Sequence, residues 1–167
     1  MAVSTVISVE EYLETSYRPD CDYVDGVVEE RNLGELDHAW LQTKIATFFA
    51  SRFRETGIAA IVEWRFQTKP TRFRIPDIVL TQGKPNEQIL RQPPLLCIEI
   101  LSPEDTVKRT NERIQEYLDF GVPAVWLLDP ETKALWIYRQ SGIEKITGDS
   151  VKVDGTSIEV PLAEIFD

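Results

Sequence analysis

Two carboxylates stand inside runs of sequence that otherwise belong in a hydrophobic core. Asp77 lies in Arg74-Ile75-Pro76-Asp77-Ile78-Val79-Leu80 and Glu99 in Leu95-Leu96-Cys97-Ile98-Glu99-Ile100-Leu101. Short aliphatic runs punctuated by Gly83, Pro85, Asn86, Pro93 and Pro94 read as adjacent buried strands rather than as a helix. A buried carboxylate without a partner is expelled or neutralised by protonation, so two of them on successive strands require a shared cation or a basic side chain. A divalent metal ion meets that requirement with the fewest groups, and a structural ion pair with Arg74 or Arg113 is the alternative. Side chains alternate along a strand, so Asp77 and Val79 share one face, as do Cys97, Glu99 and Leu101. Neighbouring strands in suitable register would turn both carboxylates into one space. Two carboxylates, backbone carbonyls and waters form an oxygen ligand set suited to Mg2+, with Mn2+ as substitute.

Charge narrows the partners. A net charge of −10, from 28 acidic and 18 basic residues, argues against a binder held to nucleic acid by charge alone. A local basic groove is still open to it, because Lys69, Arg72 and Arg74 precede Asp77, and Lys108, Arg109 and Arg113 follow Glu99. The length of 167 residues suits one packed domain, 1–167. Cys21 and Cys97 lack zinc-site spacing and read as reduced thiols. The N-terminal Met1-Ala2-Val3-Ser4-Thr5-Val6-Ile7-Ser8-Val9-Glu10-Glu11 lacks the form of a secretory signal, and no apolar stretch is long enough to span a membrane. A cytoplasmic chain is the expectation.

Periodicity gives the order of elements. Ser8-Val9-Glu10-Glu11 forms a capping box before a short helix to about Ser16, and Asp25-Gly26 marks a hairpin. Leu41, Ile45, Phe48, Phe49 and Phe53 recur at helical spacing, which predicts a long amphipathic helix from Asp37 to about Thr56, ended by Gly57. A strand over 58–66 follows, then the two carboxylate-bearing strands. Ser102 as N-cap and Pro103 at the first position open a helix to about Phe120, with Val107, Ile114, Tyr117 and Leu118 as its buried stripe. Strands follow over 125–128 and 134–139, with short pieces near 151–153 and 157–160. The result is an α/β domain with a mixed sheet and extra peripheral strands.

This order carries a family resemblance. Pro76-Asp77, then Glu99, then Ser102-Pro103-Glu104-Asp105, then Tyr117-Leu118 with Gly121-Val122-Pro123 and Trp126-Leu127-Leu128-Asp129-Pro130, resembles the Uma2 family of restriction-endonuclease-like proteins over roughly residues 8 to 140. The resemblance implies the PD-(D/E)XK nuclease fold, whose core runs helix, three strands, helix, strand. It also implies phosphodiester hydrolysis, most plausibly in DNA, with Asp77 and Glu99 as ligands of a catalytic Mg2+. The wider superfamily has a lysine two residues after the glutamate, where this chain has Leu101. Uma2-like sequences carry one on the following helix, where this chain has Arg113, so Arg113 and then Lys108 are the candidates for that role. Arg113 supplies charge but is almost unable to exchange a proton. His38 at the start of the long helix is a candidate water or phosphate contact, with a surface histidine an equally ordinary reading, and Glu63 a candidate additional ligand, with an outward-facing glutamate the commoner one. Trp126, Trp136 and Tyr117 read as core rather than as base-stacking residues. Three functions follow: a metal-dependent endonuclease, a nuclease-fold binding module without catalysis, or an interaction domain. Nucleases of this kind often pair so that two sites meet two strands, so a homodimer through the strands after Pro130 is a further expectation.

Overall fold

A computed structural model of the chain describes residues 6–32 and 34–167; Met1–Thr5, the beginning of the N-terminal segment read above, lie outside the described residues. The elements are α1 (Val9–Glu14), β1 (Cys21–Val24), β2 (Val27–Glu30), α2 (Leu36–Ser51), α3 (Phe53–Thr56), β3 (Ile58–Val62), β4 (Phe66–Lys69), β5 (Arg72–Arg74), β6 (Ile78–Gln82) and β7 (Leu96–Ile100). They continue as α4 (Val107–Phe120), β8 (Val125–Asp129), β9 (Ala134–Arg139), β10 (Gly142–Lys145), β11 (Ser150–Lys152), β12 (Glu159–Pro161) and α5 (Leu162–Phe166). Among the described residues no helix is long and apolar enough to cross a membrane.

Strand alternation sorts the side chains into layers. The main sheet has the order β10-β9-β8-β7-β6-β3, and β7 and β8 are its parallel pair. On one face, Ile78, Leu80, Leu96, Ile98 and Ile100 pack against Leu41, Ile45, Phe48 and Phe49 of α2. On the other, Val79, Cys97, Val125 and Leu127 meet Ile114, Tyr117 and Leu118 of α4. Burying an aliphatic or aromatic side chain of this size contributes about 1.5–3 kcal/mol, so two such faces hold the sheet between its helices. A smaller sheet, β2-β1-β5-β4, packs Tyr23 and Phe73 on Tyr12 of α1.

The nuclease core reads α2, β3, β6, β7, α4, β8, the expected helix, three strands, helix, strand. Several boundaries differ from the sequence reading, each for a local reason. The predicted strand 58–66 breaks at Glu63, which takes φ 49°, and Phe66 instead begins the β4–β5 hairpin that leaves the main sheet. Asp77 is not inside a strand; it occupies the step between β5 and β6, immediately before Ile78. The helix after Glu99 begins at Val107 with Thr106 as N-cap, not at Ser102, because the Asp105 carboxylate accepts the Ser102 amide at 2.8 Å and closes a turn there. Val107 is consequently 79% exposed rather than core. The long helix breaks at Arg52, and Phe53 is turned partly outward. The Asp25-Gly26 hairpin forms as expected, with both residues at positive φ, as a type I′ turn demands. Cys21 and Cys97 are buried free thiols.

A buried ion network ties the small sheet to α4. The Arg74 guanidinium donates to Asp22 Oδ2 at 3.1 Å and to Glu116 Oε2 at 2.9 Å, and reaches Glu29 at 3.2 Å. Asp22 also accepts the Ile75 amide at 3.1 Å, and the Thr68 hydroxyl donates to Glu116. The two carboxylates and the guanidinium are all nearly inaccessible to solvent. Removing one partner from such a network leaves uncompensated buried charge, which costs about 3–5 kcal/mol. Arg74→Met is therefore expected to lose stability on that scale in urea unfolding, and a loss below about 1 kcal/mol would show that the network is not holding the sheets together.

Candidate active site

The register of β6 against β7 builds the site. Ile78 pairs with Ile98 and Val79 with Cys97 in the antiparallel ladder, so one step beyond Ile78 brings Asp77 level with Glu99. Both are 4% exposed. The backbone at Asp77 is fixed from two sides: its carbonyl accepts from Gln42 Nε2 of α2 at 3.0 Å and from the Glu63 amide at 3.2 Å. Its carboxylate is fixed as well, with Oδ2 accepting the Ile100 amide at 2.8 Å and lying 3.3 Å from His38 Nε2, while Oδ1 accepts from Arg31 at 2.9 Å. Glu99 is held by α4: Oε2 accepts from Arg113 at 2.8 Å and Oε1 from the Tyr117 hydroxyl at 2.7 Å. Arg113 and Tyr117 stand one helical turn apart, so one face of α4 presents both donors to the same carboxylate.

The two carboxylates respond differently to burial. Loss of water pushes the Glu99 carboxyl up to about 7, against the opposing charge of Arg113, and the neighbouring Asp77 charge adds to the rise. Burial also pushes Asp77 upward, but close contact with His38, the charges of His38 and Arg31, and the Ile100 amide outweigh it and hold the carboxyl below its usual range. Burial lowers His38, and its contact with Asp77 more than restores it, so the imidazolium is favoured. Carboxylates in contact with different environments divide into one held ionised and one that takes a proton readily.

A cavity of about 20 Å3, room for about one water, is lined by Asp22, Arg31, His38, Asp77, Asp105 and Arg113 among others. A larger cavity of about 410 Å3 shares His38 and Ser102 with it and carries the acids Glu35, Asp37, Asp129 and Glu131. His38 is thus the titratable side chain at the junction of the two. Gly34 permits its approach, since a Cβ at that position would lie 2.7 Å from His38 Nδ1.

Of the residues singled out in the sequence, the fold brings together Asp77, Glu99, Arg113 and His38. It does not bring Lys108 or Glu63 to them. The Lys108 side chain is 84% exposed and pairs with Glu112 along the helix surface at 3.9 Å, because Lys108 lies on the face of α4 opposite to that of Arg113. Glu63 follows the last residue of β3 with its side chain exposed; its amide donates to the Asp77 carbonyl and its charge acts on Arg31, but it reaches neither carboxylate. Arg74 neutralises Asp22 and Glu116 rather than the central pair. Trp126 and Tyr117 are core as read, yet Tyr117 also serves Glu99 through its hydroxyl.

Sequence does not single out Arg31: it follows β2 in the polar stretch Glu29-Glu30-Arg31-Asn32, where nothing distinguishes it from a solvated charge. Asp105, which falls in the first turn of the helix expected from Ser102, accepts from Asn32 Nδ2 at 3.0 Å and lies 3.7 Å from Arg113.

The oxygen donors suit a hard divalent ion. An ionised carboxylate offers about four lone-pair sites, and Asp77 meets three donor groups and Glu99 two, so each retains acceptor capacity. Among the described residues no group of three or more His, Cys, Asp or Glu side chains is placed to hold a metal.

The family model of Uma2, described as "Putative restriction endonuclease", matches residues 9–164. No curated protein matches the chain. Among solved structures, the crystal structure of a "putative nuclease belonging to DUF820" from Anabaena variabilis is similar, with a TM-score of 0.80 and 22% identity over 96% of this chain and 97% of that one. At that identity the likeness concerns the fold, and it extends over both chains almost entirely. With the family model covering all but the ends of the sequence, the chain belongs to the Uma2 family of restriction-endonuclease-like proteins.

Proposed function

We propose that the chain is a metal-dependent endonuclease that hydrolyses phosphodiester bonds, with DNA as substrate and Mg2+, or Mn2+ in its place, held by Asp77 and Glu99. The observation that carries this reading is the pair itself: two buried carboxylates level with each other at the end of two core strands, each oriented by groups from other elements.

Hydrolysis adds water across the phosphorus–oxygen bond. The attacking oxygen loses a proton, the bond to the leaving oxygen breaks, and that oxygen gains a proton. A bound divalent ion supplies positive charge for the developing phosphorane and lowers the pKa of a coordinated water. The chain's own groups do the rest. Tyr117 and Arg113 fix the Glu99 carboxylate, and the Ile100 amide fixes Asp77, so neither must reorganise as charge develops. His38, at the junction of the two cavities, is within reach of both Asp77 and a bound group and serves as a water or phosphate contact. Arg113 takes the electrostatic part of the missing lysine and, remaining protonated, none of its proton transfer.

A second reading is a nuclease-fold module that binds without cutting. Two observations favour it: Leu101 stands where the superfamily has a lysine, and Arg113 is committed to Glu99.

Cleavage of plasmid, single-stranded DNA and RNA with Mg2+ or Mn2+ separates the two. Metal-dependent cutting that EDTA abolishes, and that Asp77→Ala lowers by about 100-fold or more, is the expected outcome. Absence of cutting by the wild type, with Asp77-dependent metal binding retained, would overturn the endonuclease and leave the module.

Gly34→Ala tests the placement of His38. The added methyl forces the imidazole away, so cleavage is expected to fall as far as in His38→Ala, with stability changed by about 0.5 kcal/mol or less and no further loss in the double variant. Full activity in Gly34→Ala would remove His38 from the site.

A further inference from the structure

The positive charges facing Asp77 and Glu99 are not equivalent. Arg113 belongs to α4 and is held twice, by Glu99 at 2.8 Å and by Asp105 at 3.7 Å. Arg31 belongs to the connection between β2 and α2 and contacts Asp77 through one nitrogen, at 2.9 Å. Its removal would leave Asp77 Oδ2 with both the Ile100 amide and His38, so the carboxylate would remain oriented with Oδ1 free. The main chain around Arg31 is anchored independently of that contact. Arg109 of α4 donates to the Glu30 carbonyl at 3.2 Å, and Asn32 donates to Asp105 at 3.0 Å. The guanidinium can therefore swing while its backbone stays at the rim of the small cavity, which it lines with Asp105, Arg109 and Arg113.

Charge balance gives that freedom a direction. The acids Asp77, Glu99 and Asp105 face the basic groups Arg31, Arg113 and His38, three against three. A divalent ion on the same oxygens adds two positive charges to a buried, nearly balanced cluster, and a neighbouring anion is then required. Guanidinium and phosphate match as a two-pronged, charge-assisted pair.

We propose that Arg31 is a transferable counter-ion, which neutralises Asp77 until a divalent ion takes that carboxylate and then turns to the substrate phosphodiester. Metal and phosphodiester thereby bind cooperatively through one side chain. The proposal rests on the reading of Asp77 and Glu99 as metal ligands.

The test uses the full chain and needs no turnover. Mn2+ affinity is measured by titration calorimetry without nucleic acid, and binding of a short DNA duplex by fluorescence anisotropy with and without Ca2+. In Arg31→Met, loss of the competing cation is expected to tighten Mn2+ about 5-fold or more, while the Ca2+-dependent gain in duplex affinity falls by a comparable factor. Arg31→Lys gives the same two changes at smaller size, since an ammonium keeps its charge but not the fork, and it carries the test if the methionine variant does not fold. Unchanged or weaker Mn2+ binding in both variants, or an undiminished Ca2+-dependent gain, would overturn the counter-ion role. Asp77→Asn distinguishes that failure from a failure of the metal reading. If it binds Mn2+ as tightly as the wild type, the ligand assignment itself falls and the proposal with it; if it loses Mn2+ while the Arg31 variants stay unmoved, the proposal alone is overturned.

Discussion

Everything distinctive about this chain follows from holding two carboxylates out of water at the end of a hydrophobic sheet. Asp77 and Glu99 sit where β6 and β7 emerge from a core of Ile78, Val79, Cys97 and Ile98, and charge in such a place is tolerated only with nearby compensation. The compensation comes from three separate parts of the chain: Arg31 from the connection after the first hairpin, His38 from α2, and Arg113 with Tyr117 from α4. Elements distant in sequence are thus drawn to one point, and the small sheet, the main sheet and two helices share a common anchor.

A second buried network beside it differs in how its charges are satisfied. Arg74 with Asp22 and Glu116 consists of charged groups facing one another, with the Thr68 hydroxyl and the Ile75 amide filling remaining positions. Asp77 instead borders a small cavity, as does the Arg113 that holds Glu99, and the partners of both carboxylates leave part of their acceptor capacity unused. Glu99 is driven toward a proton by burial while Asp77 is held ionised. Such a contrast between neighbouring carboxylates marks sites of chemistry more often than sites of packing.

The core of the fold was legible because apolar periodicity and buried strands leave a strong signature. The runs around Val79 and Cys97 and the stripe Leu41, Ile45, Phe48, Phe49 are all where the pattern put them. The helix start after Glu99 was less legible: Ser102-Pro103 satisfies the preferences of an N-cap, but residues 102–105 close only a separate turn and the helix is capped by the Thr106 hydroxyl. The β4–β5 hairpin was hidden because Phe66 continues the apolar run of β3 although it packs in a different layer. Asp77, Glu99 and Arg113 could be picked out by carboxylates in apolar surroundings and by motif spacing. Arg31 could not, because a lone arginine among Glu29, Glu30 and Asn32 acquires its meaning only when the hairpin folds against the end of β6.

The central claim is that Asp77 and Glu99 together hold a divalent ion. A crystal of the full chain grown with Mn2+ and measured for anomalous scattering tests it most directly. The expected result is a peak within ordinary Mn–O bonding distance of both carboxylates. A crystal saturated with Mn2+ that shows both carboxylates still on Arg31 and Arg113, with the ion elsewhere, would contradict it.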